Sequence, residues 1–309
     1  MSKIAFIFPG QGSQAVGMGQ SFYGVSEKAK EMFHLADSIL GFPLSQFCFN
    51  GPEEVLKSTE NTQPALFTVS AVILAHLRDR GIEAQWVAGH SLGECTALYA
   101  ASCLSFEDGL KLVRKRGELM AQAGKQRPGA MAAILGCDKA ELEKICAGVT
   151  SGIVDVANFN SPGQIVISGE KQAVSEAMEL AKSAGAAKVI LLPVSGAFHS
   201  RLLNGASTAF LDYLKSVQFL EPHMPVVSNV TSEFIPGADK LPALLGEQLV
   251  STVRWEQCVH KLREAGAEVF LEIGSGKVLS GLIKRIDKQA RTESISEWSD
   301  LEKIDQNGI

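Results

Sequence analysis

The sequence contains no apolar run near the roughly 20 residues that span a bilayer, which argues against a membrane segment. Its start, MSKIAFIFPGQGSQ, offers about five apolar residues before Pro9 and Gly10, too few for a signal peptide. Six cysteines (Cys48, Cys95, Cys103, Cys137, Cys146 and Cys258) form no C-x-x-C pair and no metal-like cluster. They are expected to be free thiols in a reducing cytoplasm, with no bound metal. There is no excess of positive charge either. Lys and Arg total 29 against 34 Asp and Glu, a formal net charge of −5. A general nucleic-acid binder, which gains affinity by neutralising phosphates, is therefore not expected. No internal repeat and no low-complexity tract stands out.

What remains is an ordinary globular composition, 46% hydrophobic and 20% charged over 309 residues. That length holds one large domain, or one domain with an insertion. Lys3 to Phe8 reads as a buried strand ending in a Pro-Gly-Gln-Gly turn. Helices are predicted from Ser26 to Leu40 and from Pro64 to Arg80, the second with Pro64 in its first turn and Thr62 as cap. Trp86 to Ala88 is a short strand, and Ser91 to Ala101 a helix of small residues. Ser105 and Asp108 form a capping pair for a helix ending near Gly124.

The pattern changes at AGKQRPGAMAAILG. Strand Ala130–Leu135, helix Lys139–Ala147, strands Ile153–Phe159 and Gln164–Ser168, helix Lys171–Ser183 and strand Lys188–Leu192 follow in order. That is β-α-β-β-α-β over about 65 residues, the ferredoxin-like arrangement. The expected division is a large α/β domain from residues 1–126 and 196–309, with a small ferredoxin-like domain inserted at 127–195. In the large domain, Ser200–Val217 is predicted helical. Pro225–Asn229 and Val269–Ile273 suit the middle of a mostly parallel sheet.

Three glycine-rich turns invite a functional reading. GQGSQA (Gly10–Ala15) fits a dinucleotide fingerprint in letters, but no strand ending in an acid follows at the required distance. GSGK (Gly274–Lys277) suggests a phosphate loop, but Leu271 and Val278 stand where the motif needs Gly and Ser or Thr. VAGHSLGEC is different. Ser91 sits between Gly89 and Gly93, after a strand and before a helix, as a nucleophile elbow requires. The helix N-terminus points free N–H groups at the serine, which suits a developing oxyanion, and the Leu92 N–H is the natural donor.

A nucleophilic serine needs a base. His34 and His76 fall inside predicted helices, His260 lies in a helical pattern and His223 at a strand start. His90 adjoins Ser91 in a tight turn and projects elsewhere. His199, in VSGAFHS, lies where the small domain returns to the large one, and junction loops line clefts. It is the best candidate. Asp155 and Glu170 fall between Ser91 and His199, but both belong to the insert and neither is an obvious orienting acid. A hydrolase would need that acid. A thioester is already activated, so a histidine oriented by a neutral carbonyl would suffice.

Several stretches together resemble malonyl-CoA:acyl-carrier-protein transacylases. These are FIFPGQGSQ, TQPALFT, GHSLGE, the Arg-Gly before Met120, NSPGQIVISG, AFHS and LEIGSGKVLSGL, in that order from Phe6 to about Arg285. The resemblance implies an α/β-hydrolase-like domain interrupted by a ferredoxin-like one, with the site in the gorge between them. It implies Ser91 as nucleophile, His199 as base, and the backbone N–H groups of Gln11 and Leu92 as oxyanion hole. It implies Arg116 as the group binding the malonyl carboxylate, and Gln248 as the residue whose backbone carbonyl orients the histidine. Helical spacing does not separate Arg116 from Arg114. Gln63, Asn158, Asn160 and Phe198 fall in motifs near the family's gorge, and the phenylalanine suits the malonyl-selective form. The implied reaction moves malonyl from malonyl-CoA to an acidic acyl carrier protein, with no permanently bound cofactor. A basic rim is then expected, with Lys284, Arg285 and Lys288 as the best cluster and Lys188 as an outlier. A monomer is expected. The rivals are a free-standing acyltransferase serving a polyketide synthase and a serine thioesterase or esterase.

Overall fold

The computed structural model describes residues 2–194 and 196–307. Among the described residues eight strands form two sheets: β1 Ile4–Phe8, β2 Trp86–Gly89, β3 Gly129–Leu135, β4 Val154–Ser161, β5 Gln164–Glu170, β6 Lys188–Leu191, β7 Val269–Ile273 and β8 Arg291–Ile295. The first sheet has the order β2-β1-β7-β8 and is parallel throughout. β1 and β7 are covered on both faces, which is why they read as unbroken apolar runs. Phe6, Phe8, Leu271 and Ile273 pack into the core on one face, while Ala5, Ile7 and Phe270 join Trp255 and Val259 on the other. The fold is thus α/β with a mostly parallel sheet.

The second sheet has the order β4-β5-β3-β6 and is antiparallel throughout. Its elements run β3, helix Lys139–Gly148, β4, β5, helix Lys171–Ser183, β6. Alternation sorts its side chains between two cores. Ala132, Ile134 and Ile167 pack with Leu142 and Val174 of those helices. Met131, Ala133 and Val166 point the other way, into the core shared with the parallel sheet. Two backbone hydrogen bonds, Phe159 N–H to Val253 C=O at 2.9 Å and Val253 N–H to Ala157 C=O at 2.8 Å, tie β4 to the segment that leads into the helix Trp255–Glu264.

Three expected elements differ. The second long helix spans Thr59–Asp79, so Pro64 lies inside it and Ser58, in place of Thr62, precedes it. Proline lacks the N–H that would bond the Glu60 carbonyl, and this normally ends a helix. Here Arg114 of the Phe106–Gln126 helix donates from Nη1 to that carbonyl at 2.8 Å, so the helix continues. Pro225–Asn229 is not a full strand. Val226 makes one parallel bridge to Val87 before the chain turns at Asn229. Ser200–Val217 divides into a 3-10 turn at Arg201–Leu203, capped by Ser200, and a helix over Asn204–Leu214. Among the described residues, no helix is long and apolar enough to cross a membrane.

Candidate active site

The site forms at the carboxyl ends of β1 and β2, which lie side by side with Phe8 opposite Gly89. Ligands in open parallel sheets bind at such edges. Three glycines make the junction. A Cβ on Gly89 would lie 1.9 Å from the Gly93 backbone, one on Gly93 2.0 Å from the Phe8 carbonyl, and one on Gly10 2.4 Å from the His90 carbonyl. Only bare backbone lets the β1 loop and the elbow come this close. Ser91 takes φ 52° and ψ −105°, just before the helix Leu92–Ala100. A strained backbone of this kind costs about 1–3 kcal/mol and persists where its surroundings hold it. Asn229 does the holding. Its Oδ1 accepts the Ser91 N–H at 2.7 Å and its Nδ2 donates to the Gly89 carbonyl at 2.8 Å. The sequence reading missed Asn229. The available signal was its position at the end of an apolar run aimed at the sheet's carboxyl edge.

Gln11 and Leu92 both line the cavity at this edge, and among the described residues neither backbone N–H has a protein acceptor. The Gln11 side chain is tethered, its Oε1 accepting from Thr59 Oγ1 at 2.8 Å.

His199 also has a positive φ, 57°, and is 4% exposed. Its Nε2 lies 2.7 Å from Ser91 Oγ and its Nδ1 2.8 Å from the Gln248 carbonyl. A carbonyl can only accept, so Nδ1 carries the proton and Nε2 offers its lone pair to the serine hydroxyl. Burial, and then the charge of Arg116, push the imidazole down to about 3, against the pull of the Gln248 carbonyl. The resting ring is neutral and can take a proton. The other histidines are engaged or remote. His90 Nε2 lies 2.9 Å from Asn160 Oδ1, His76 bonds Val72 and Ser26, His34 meets Tyr23, and His223 and His260 are exposed.

The structure separates the two arginines. Arg114 faces outward, bonding Glu118, Asn61 and the Glu60 carbonyl, with its guanidinium 4.8 Å from the centre of the Phe42 ring. Arg116 is 1% exposed. Gly117 allows this, because a Cβ there would lie 2.7 Å from the Thr59 carbonyl; its absence lets the two long helices cross closely. Arg116 donates from Nη1 to Gln63 Oε1 at 2.8 Å, and from Nη2 to Gln248 Oε1 at 2.8 Å and Ser91 Oγ at 3.0 Å. All three partners are neutral, and Nε has no partner. Among the described residues no carboxylate lies within ion-pairing distance of it. A buried cation without a counterion is expensive, so the arrangement suits a ligand that brings a negative charge.

Gln248 ends the helix Leu241–Gln248 and lies behind the serine. Besides accepting from Arg116, its amide donates to the Ser91 carbonyl at 3.0 Å and to Glu94 Oε2 at 2.5 Å. Glu94 is fully buried, and burial pushes its carboxyl up to about 7 despite hydrogen bonds from Gln248 and Asn229 and the charge of Arg116. Glu94 was not among the expected site residues, although it ends the GHSLGE stretch.

A cavity of about 200 Å³ over Ser91 is lined by Gln11, Gln63, Leu92, Arg116, Asn158, Asn160, Phe198 and His199, with Met120, Met131, Val166 and Leu282 as apolar walls. The basic residues stand apart from it. Lys284 turns its ammonium to its own chain, 2.6 Å from the Ala290 carbonyl. Arg285 bonds Gln164, which lines the cavity mouth, and Gln164 pairs with Leu135, itself opposite Lys188. Lys188 and Arg285 therefore share one end of the small sheet, and Lys188 is less of an outlier than its sequence position suggests.

The chain matches the acyl transferase domain family over residues 5–299. It is 45% identical over 304 residues to a malonyl CoA-acyl carrier protein transacylase of Bacillus subtilis, covering 98% of this chain and 96% of that protein. The chain belongs to the malonyl-CoA:acyl carrier protein transacylase family. Solved members superpose on it closely. An acyl carrier protein S-malonyltransferase from Vibrio cholerae matches with TM-score 0.93 and 40% identity, over 98% of this chain and 100% of that one. A malonyl-transacylase solved in complex with a type II polyketide acyl carrier protein matches with TM-score 0.96 and 37% identity, over 99% and 100%.

Proposed function

We propose that this acyltransferase passes a malonyl group from malonyl-CoA to the phosphopantetheine thiol of an acyl carrier protein, through a malonyl ester on Ser91, and so supplies fatty acid synthesis. The observation that carries the reading is Arg116, a buried cation with no ion-pair partner among the described residues, bonded at 3.0 Å to the hydroxyl that would hold the acyl group. Guanidinium pairs with carboxylate in a planar, bidentate fashion. Malonyl has such a carboxylate at its far end and acetyl does not.

In the first half-reaction His199 Nε2 takes the Ser91 proton as Oγ attacks the thioester carbon. The Gln11 and Leu92 N–H groups hold the oxyanion. The carbon–sulfur bond breaks, and the departing CoA sulfur receives the proton from His199. In the second half the carrier thiol gives its proton to His199 and its sulfur attacks the ester carbon; the carbon–Oγ bond breaks, and His199 passes the proton to the departing Ser91 Oγ. The malonyl carboxylate does more than anchor. By offsetting the Arg116 charge, it removes part of what depresses His199, so the base strengthens when the correct acyl group is present. The Gln248 carbonyl orients the imidazole in place of a triad acid, while Gln63, Asn158, Asn160 and Phe198 shape the acyl pocket. Apolar walls limit water, which keeps the ester for the thiol.

The same reading extends to the architecture. Residues 1–126 and 196–309 form an α/β-hydrolase-like unit, and 127–195 an inserted ferredoxin-like unit, supported by the element order and the β4-β5-β3-β6 strand order. The carrier is acidic and docks over Lys188, Lys284 and Arg285, supported by the end of the small sheet that Lys188 and Arg285 share and by the helix turn that sets Lys284 beside Arg285. The protein works in the cytoplasm. The test is transfer of radiolabelled malonyl from malonyl-CoA to purified fatty-acid and polyketide carriers, with release to water measured in parallel. Transfer to a carrier should exceed hydrolysis by orders of magnitude. Faster release to water than to either carrier would make the protein a thioesterase. Exclusive use of the polyketide carrier would assign it to that pathway class.

A further inference from the structure

Glu94 has no part in the steps above, yet its carboxylate sits at the head of a directional chain of hydrogen bonds. It is completely buried three residues after Ser91. Its Oε2 accepts from the Gln248 amide at 2.5 Å and from the Asn229 N–H at 3.1 Å, while Oε1 has no partner. A carboxylate can only accept and a guanidinium can only donate. Gln248 lies between one of each, so its amide has a single satisfactory orientation, with NH2 toward Glu94 and oxygen toward Arg116. The reverse would set two donors against each other on one side and two acceptors on the other.

The direction then passes down the line. Arg116 donates to Gln63 Oε1 at 2.8 Å, Gln63 Nε2 donates to Thr59 Oγ1 at 3.0 Å, and Thr59 donates to Gln11 Oε1 at 2.8 Å. Arg116 can only donate, so it fixes the donor and acceptor sides of Gln63, and through it those of Thr59 and the Gln11 oxygen. The chain begins beside the base-orienting Gln248 and ends on a residue of the oxyanion hole.

We propose that Glu94 is a positioning residue: its carboxylate fixes the direction of the Gln248 amide, which holds Arg116 in place for the acyl carboxylate. This rests on the reading of Arg116 given above. The test is the Glu94→Gln variant, assayed at pH 8 for transfer from malonyl-CoA and acetyl-CoA, with thermal melting alongside. The variant keeps shape and removes only the demand for a donor. Its Tm should not fall, because a buried charge has been removed. Malonyl kcat/KM should drop about 10–100-fold, the range seen when a residue orienting a site group is lost, while acetyl transfer changes by less than about threefold. In an Arg116→Ala background the same substitution should leave the malonyl-to-acetyl ratio unchanged. If Glu94→Gln does not fold, Glu94→Met removes the acceptor with an apolar side chain of similar length, and the same outcomes apply. Retention of the malonyl preference would overturn the proposal, as would an equal fall in both substrates together with Tm, which marks a scaffold role. A wild-type enzyme without malonyl preference would instead overturn the reading of Arg116.

Discussion

Two parts of the molecule share one plan and differ in outcome. β2 and β7 flank β1, and each runs through a glycine-containing turn into a helix, Leu92–Ala100 after β2 and Val278–Ile286 after β7. A helix N-terminus presents unpaired N–H groups and partial positive charge, a ready place for an anion. After β7 the chain fills that place itself. Glu272, fully buried, accepts the Leu279 N–H at 3.0 Å and the Ser280 N–H at 2.7 Å. After β2 the acid in the helix, Glu94, turns inward to Gln248 and Asn229 and leaves the Leu92 N–H open beside Ser91. The difference teaches that a glycine turn and a helix start do not make an anion site. A site also needs the chain to withhold its own acids. This is the physical reason the phosphate-loop reading of GSGK fails.

The largest effect that would break this contrast lies at Arg116, to which the proposed function assigns the selectivity of the open turn. Arg116→Ala should lower malonyl kcat/KM by up to about 10⁴, as sites built around a polar partner reject analogues lacking it, and should spare acetyl transfer. Steady-state kinetics on both thioesters check this; equal losses would mean the arginine serves only the scaffold. Next comes the acid withheld from the open turn. Burial raises the Glu94 carboxyl to about 7 from an ordinary 4.5, so between these values the folded protein binds more protons than the unfolded chain. Its contribution to stability is complete below pH 4.5 and is lost as pH rises through 7, on the order of 3 kcal/mol in all. Melting of Glu94→Gln against wild type should show a Tm difference that grows in the variant's favour from pH 5 to pH 8; a constant difference would contradict the shift. The smallest effect concerns the filled turn. Glu272→Ala should cost about 1.5–3 kcal/mol in chemical denaturation by freeing two N–H groups, with malonyl transfer less affected than stability.

Much of this was legible along the chain, for local reasons. The elbow depends on glycines adjacent in sequence, β1 and β7 on apolar runs, and the second sheet on alternation between two cores. Other features belong to the tertiary structure. Pro64 sits inside a helix only because Arg114, from another helix, serves the carbonyl it orphans. Arg114 and Arg116 both border the apolar stripe of one helix, and the close crossing at Gly117 decides which is buried. Asn229 and Glu94 act through partners more than 130 residues away, at Ser91 and Gln248. No local pattern carries that information.

The central claim is that Ser91 relays an acyl group between two thiols from the open helix start. Intact mass of the enzyme after brief mixing with malonyl-CoA, followed by a carrier thiol, tests it most directly. Wild type should gain one malonyl group and lose it to the thiol, and Ser91→Ala should never gain it. A malonyl adduct on Ser91→Ala, or a wild-type adduct that only water removes, would contradict the account.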